Sequence, residues 1–166
     1  MAELLFNISK VEVSDNGTDW QDLGATKGGG EFAQSPEIVE IRDDQHGDPI
    51  ALITKAAGRT LKINLLNASY DNLALAFGGN VVIDETTQEP LKVELPNLPG
   101  GVEKQVRITT QPVNGVSFQI LIKRAKITGN STISLSDGDA TAIPLDIKVL
   151  ATTDGSAPVE ITKVSS

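Results

Sequence analysis

The sequence lacks several residue types on which protein chemistry often depends. It contains no cysteine in 166 residues, which excludes disulfide bonds, thiolate metal ligands and cysteine nucleophiles. Aromatic residues make up only 4% of the chain, so valine, isoleucine, leucine and alanine must build most of the core. The apolar runs are far shorter than the roughly 20 residues that span a bilayer. We therefore expect no membrane partner.

Positive charge is also scarce, and it is unevenly placed. The chain carries 22 acidic and 14 basic residues, a net charge of −8. Residues 1–48 hold 11 acids and 3 bases, whereas the remainder is balanced with 11 of each. A protein that binds nucleic acid normally carries a basic surface patch. This chain shows the reverse, so we expect it to repel DNA rather than bind it.

What the sequence has in abundance is alternation of apolar and polar residues, which is typical of β-strands. A hairpin is predicted over 11–24, with its turn at Asp15, Asn16 and Gly17. Further strands are predicted near 37–43, 50–67, 91–95, 106–109, 116–122, 133–135, 143–149 and 159–163, and a turn is predicted at 137–139. The run 50–67 is either one long strand or two short ones, and Gly58 should mark a bulge or bend within it.

One helix is predicted over 69–78. Ser69 suits its N-cap and Gly78 its left-handed C-cap. The apolar stripe that should pack on a sheet is formed by Tyr70, Leu73, Ala74 and Phe77. The predicted fold is mainly β, an antiparallel β-sandwich or barrel with one short flanking helix. We predict a single domain over 1–166, in which residues 152–166 form an extended arm or an edge strand.

The stretch EIRDDQHGDPIAL, residues 40–52, holds the only histidine and raises the question of a metal or acid–base site. His46 lies among Asp43, Asp44 and Asp48. Zinc usually takes more histidine or cysteine ligands, and calcium needs more regularly spaced oxygens. No nucleophile setting accompanies the histidine. We therefore interpret the stretch as a hairpin turn, with Gly47 relaxing the backbone, and predict no metal, no cofactor and no enzymatic activity.

Several segments together resemble the tail tube proteins (major tail proteins) of tailed bacteriophages. They are the DNGTDW hairpin, a Gly-rich bend, a strand ending in EIRDDQHGDP, and a strand running into a helix in LLNASYDNLALAFGG. The resemblance covers about residues 10–80, and only strands with Thr-rich faces continue it beyond. The bend itself, KGGGEF, lacks the Lys-Ser/Thr of a phosphate-binding loop, so nucleotide binding is rejected.

This resemblance implies a structural role in the virion. Family members form hexameric rings that stack into a hollow tube through which DNA passes without specific binding, and loops and long hairpins connect the rings. The implied partners are other copies of the chain and the tail terminator, baseplate or tip, and tape-measure proteins. Assembly would take place in the cytoplasm of the host bacterium.

Within that frame, the charged residues become candidates for assembly surfaces. The candidates for contacts between subunits are Asp43, Asp44, Gln45, His46, Gly47 and Pro49. Glu37 and Glu40 are candidates for the lumen, although the acidic excess could equally face the interface between rings. Bases that such an interface could oppose are Lys55, Arg59, Lys62, Lys123, Arg124 and Lys126. The three in KRAK could otherwise mark a solvated strand end.

Three alternatives remain at the level of the sequence. A tube subunit of a phage-like contractile injection or gene-transfer particle would share the fold. A monomeric β-sandwich binding module would need a platform of exposed aromatic residues, and one Trp, one Tyr and four Phe argue against it. An enzyme is the most distant alternative.

Overall fold

The computed structural model describes residues 7–135, 137–138 and 140–165 and contains twelve β-strands and one α-helix. The elements are β1 (Ile8–Ser14), β2 (Gln21–Asp22), β3 (Thr26–Gln34), β4 (Glu37–Ile41), β5 (Ala51–Ala56), β6 (Arg59–Leu65), α1 (Tyr70–Phe77), β7 (Asn80–Ile83), β8 (Pro90–Glu94), β9 (Val102–Thr110), β10 (Val116–Ile127), β11 (Ile143–Val149) and β12 (Val159–Ser165). The predicted mainly β, antiparallel fold with one short helix is confirmed.

Eight strands form one large sheet in the order β2-β1-β9-β10-β11-β6-β3, with β12 paired to β10 outside this path. β10 is its longest strand, and it changes neighbours along its length. Residues 116–122 pair with β12, and residues 125–127 pair with β11. The register with β9 shifts between Ile122 and Ala125, so a bulge lies at the point of exchange. Bulges increase twist, which bends the sheet here.

The bent sheet wraps its inner face around a single aliphatic core. Strands β1 and β3 approach each other closely, because a Cβ atom on Gly30 would lie only 2.7 Å from Cδ1 of Ile8. The buried hydrophobic residues of the described segments are all valine, isoleucine, leucine or alanine, as the composition predicted. The alternation in β6 places Leu61, Ile63 and Leu65 inside and Lys62 outside.

Helix α1 has the predicted caps, and its predicted stripe is confirmed at Ala74, which is buried. The Ser69 hydroxyl accepts a hydrogen bond from the Asn72 amide at 3.2 Å, and Gly78 is left-handed with φ 68°. The predicted stripe was wrong for Tyr70, which is 43% exposed. Leu73 and Phe77 are half-buried against the core.

The side chains that the helix does bury are Asn72, Ala74, Leu75 and Ala76. Asn72 can occupy an inward position because its side-chain amide donates to the carbonyls of Leu23 and Asn67, both at 2.9 Å. A buried polar group is tolerated when it is hydrogen-bonded in this way. A search for apolar periodicity alone passes over such a residue.

Other strand predictions divide into confirmed and wrong. The run 50–67 is two strands, β5 and β6, and they are separated at Gly58, where φ is 59°. No strand forms at 133–135, and Leu135 is 91% exposed.

Two strands were missed. The stretch KGGGEF, expected to be a bend, lies in β3, whose register with β6 shifts between Thr26 and Gly30. Strand β7 pairs with β8 as a separate hairpin. The turn predicted at 137–139 includes residue 139, which lies outside the described residues.

Candidate assembly surfaces

Strands β4 and β5 form a hairpin outside the main sheet, and we call residues 37–56 the arm. It continues the hairpin of β3 and β6 beyond a bend, where the Ser35 amide donates to the Gly58 carbonyl at 3.0 Å. A Cβ atom on Gly58 would lie 2.1 Å from the Ser35 carbonyl oxygen, so only glycine fits the bend. In the part of the chain that the structure describes, β4 and β5 pair only with each other.

Five large aliphatic side chains are exposed on the arm. They are Ile38, Ile41, Ile50, Leu52 and Ile53. The register places Val39 opposite Ile53 and Glu40 opposite Leu52, so apolar side chains occur on both faces of the ribbon. An isolated two-stranded hairpin is marginally stable in water. A group of exposed large aliphatic side chains is a candidate interaction site.

The tip of the arm is organised by Asp43. Its Oδ1 atom accepts hydrogen bonds from the amides of Gln45 at 3.1 Å and His46 at 2.9 Å. Nδ1 of His46 lies 2.8 Å from both carboxylate oxygens, and this side-chain contact is the main reason that the pKa of Asp43 falls below its ordinary value. His46 therefore closes a turn. Among the residues that the structure describes, no group of three or more His, Asp or Glu could hold a metal ion.

Gly47 does not relax the backbone of the turn in the way that was expected. Its φ is not positive, and a Cβ atom there would meet nothing within 4 Å. Its carbonyl instead accepts from Nη1 of Arg42 at 3.4 Å. The turn is therefore built by the carboxylate of Asp43 rather than by a left-handed glycine.

The structure brings the tip residues and the lumen candidates together on the arm. Glu40 accepts from Nε and Nη2 of Arg42 at 2.9 and 2.6 Å, so its charge is offset locally. Glu37 lies at the base of the arm opposite Ala56. Lys55 lies on β5 of the same arm.

Two of the candidate bases, Lys123 and Arg124, are engaged within their own chain at the bulge of β10. Nζ of Lys123 lies 2.6 Å from Oε1 of Glu160. Arg124 donates to both carboxylate oxygens of Glu103, at 3.2 and 3.1 Å, and to the Ala151 carbonyl at 3.1 Å. These contacts connect β10 to its neighbouring segments at the point where its pairing partner changes.

The remaining candidate bases lie on strands β6 and β10. Nε of Arg59 donates to the side-chain oxygen of Gln34 at 2.7 Å, which joins β6 to β3 at the foot of the arm. Lys62 and Lys126 have no carboxylate within ion-pair distance in the described residues. The structure therefore separates bases used inside the subunit from bases available to a partner.

The sequence matches a family model described as phage tail tube protein over residues 7–162. The chain belongs to the phage tail tube protein family. It is thus a structural protein of the virion tail, as the resemblance over residues 10–80 implied, and the match extends through the second half as well. No curated protein matches it in sequence. No helix in the described residues is long and apolar enough to cross a membrane.

Sequence reasoning missed the most buried ion pair among the described residues of this tail tube protein. Glu12 on β1 is 6% exposed and faces Arg107 on β9. Arg107 donates from Nη2 and Nε at 2.8 and 3.2 Å, and its guanidinium carbon lies 4.1 Å from the centre of the Trp20 ring. Burial would raise the pKa of Glu12, but Arg107 and Lys10 together hold it below its ordinary value. Only the strand register could have revealed this pair.

Proposed function

We propose that this chain assembles with copies of itself into stacked rings, hexameric as in the proteins that it resembles, and that the rings form the hollow tube through which phage DNA passes into the host. The observation that carries the proposal is the arm. Its exposed aliphatic side chains lie outside the hydrophobic core of the described subunit, and its two strands pair only with each other there. A neighbouring subunit is the partner that a tail tube protein would supply in many copies.

The open edge of the main sheet supports lateral assembly. β12 pairs with β10 on one side only, within the described residues, and its Ile161 is 61% exposed. Unpaired edges invite association with other strands. In a closed ring every edge meets an equivalent neighbour, which satisfies the backbone groups and stops growth in that direction.

The acidic balance supports passage of DNA without binding. A net charge of −8 per subunit repels the phosphate backbone, so DNA can slide along a wall that does not hold it. Of the two lumen candidates, Glu37 makes no ion pair with any described residue, whereas the charge of Glu40 is offset by Arg42. Of these two residues, Glu37 should therefore contribute more to the repulsion of DNA.

A tube also needs a partner at each end and a protein that sets its length. We propose a terminator at one end, a baseplate or tip at the other and a tape-measure protein within. Assembly in the cytoplasm of a host bacterium fits a chain without cysteine.

Removal of the arm tests the proposed function. A variant in which a two-residue turn replaces residues 37–56 keeps the main sheet, because the arm contributes no residue to the core. We expect the wild type to form tubes or rings in negative-stain electron microscopy and to sediment, and the armless variant to stay soluble and folded by circular dichroism. A wild type that stays monomeric at high concentration, even when seeded with tail tips, contradicts the proposal.

A further inference from the structure

Two lysines face each other on the outer surface of the main sheet, where β10 meets β11. The register places Lys126 directly opposite Lys148. Like charges directly opposite each other destabilise a strand pair. Lys148 was not among the bases singled out from the sequence, because its neighbour is known only from the pairing of strands.

In the residues that the structure describes, neither lysine of this pair forms an ion pair. On the far side of Lys126 the register places Glu103, but its carboxylate already accepts two bonds from Arg124. On the far side of Lys148 lies Thr60. Neither ammonium group has a carboxylate within ion-pair distance in the described segments. The two lysines therefore form a cationic patch without a partner.

The tip of the arm carries the complementary charge. Asp43 is occupied by His46 and Glu40 by Arg42. Asp44 and Asp48 are exposed, and neither makes an ion pair in the residues described. Among the described residues, the tip of the arm thus presents two carboxylates without an ion pair, and the outer surface of the main sheet presents two ammonium groups without one.

We propose that Asp44 and Asp48 at the tip of one subunit dock on Lys126 and Lys148 of a second copy. The contact is head-to-tail, because the two surfaces differ, and head-to-tail contacts can repeat from subunit to subunit as a tube requires. The inference rests on the proposed function and names the acceptor surface for the arm. Opposite charges across an interface fix register and suppress wrong partners.

Exchange of the charges tests the docking. The variants D44K/D48K and K126E/K148E each place like charges at the contact, and we expect sedimentable assembly to fall by about ten-fold or more in each. Mixing the two variants restores opposite charges in both directions, so assembly should return. The matched control E85K/E89K makes the same change of charge in the loop between β7 and β8 and should assemble like the wild type.

Each outcome decides the docking separately from the function. The docking is overturned if both reversed variants form normal tubes. It is also overturned if the mixture shows no recovery although both variants are folded by circular dichroism. Either result leaves the proposed tube function standing. A wild type that never assembles overturns both. Binding of a labelled DNA duplex that K126E/K148E abolishes assigns the lysines to DNA instead.

Cross-linking tests the docking in a second way, by the proximity of the two surfaces instead of their charge. Because the chain has no cysteine, D48C and K148C introduce unique thiols. In a mixture of these two single variants, a short bis-maleimide should join the two copies. E85C mixed with K148C is the control and should give no such product. Equal yields in the two mixtures contradict the docking.

Discussion

Replacing Glu12 with glutamine removes the counter-ion of Arg107 while the shape of the side chain is kept. Breaking a fully buried ion pair costs about 3–5 kcal/mol, because one charge is left without compensation. Here the Arg107 side chain is 26% exposed, so water can screen part of the remaining charge. We expect the free energy of unfolding to fall by about 2 kcal/mol.

Thermal unfolding measures this loss. In a domain of this size about 2 kcal/mol lowers the Tm by about 4–8 °C. Lys10 is the matched control, since its Nζ lies 3.4 Å from the same carboxylate but its side chain is 48% exposed. K10Q should cost less than about 1 kcal/mol. The reasoning is refuted if E12Q melts within a degree of the wild type, or if K10Q costs as much as E12Q.

The pH dependence of stability tests the same interaction, because the direction of the change is fixed by the pKa of Glu12. The pKa of Glu12 in the folded protein lies below its ordinary value of 4.5, so the stabilisation is complete above that value and is lost as the pH falls through the folded pKa. The difference in stability between wild type and E12Q should therefore be constant near neutral pH and shrink below about pH 4.5. A difference that grows on acidification contradicts the assignment.

Three further predictions concern other residues. N72A leaves the carbonyls of Leu23 and Asn67 without a donor and should destabilise the fold by about 1–3 kcal/mol in urea unfolding; an unchanged midpoint would show that water replaces the amide. E37K/E40K should still form tubes but slow DNA ejection from particles that carry it, and loss of tubes would place these residues at an interface. Adding EDTA or Zn²⁺ should leave the Tm unchanged, since His46 pairs with Asp43 in a turn, and a shift of several degrees would revive a metal site.

Features that depend on neighbouring residues could be predicted from the sequence. The turn of the first hairpin follows from Asn16, whose Oδ1 accepts from the amides of Thr18 and Asp19, both at 2.9 Å. The caps of the helix follow from Ser69 and Gly78 in the same way. These structures form within a few residues, so the local pattern contains the necessary information.

Features that depend on distant pairing could not be predicted. The bases of KRAK were one group in the sequence, but the bulge of β10 turns Arg124 toward Glu103 and leaves Lys126 beside Lys148. The buried face of the helix likewise depends on Asn72 reaching a carbonyl 49 residues away in the chain. Residues near 133–135 alternate like a strand, yet in the described part of the chain they pair with no other strand and remain irregular.

The arm and its charged tip would contribute to assembly in different ways. Fully burying one large aliphatic side chain contributes about 1.5–3 kcal/mol. The five on the arm are between 39% and 64% exposed, so burying the remainder could supply about 4–8 kcal/mol. That is comparable with the cost of association, about 4–15 kcal/mol. Exposed ion pairs contribute only about 0–1 kcal/mol each. Affinity between subunits should therefore come from the aliphatic side chains, and the carboxylates at the tip should set which surface the arm selects. Accordingly, high salt should weaken the selection before it dissolves the tube.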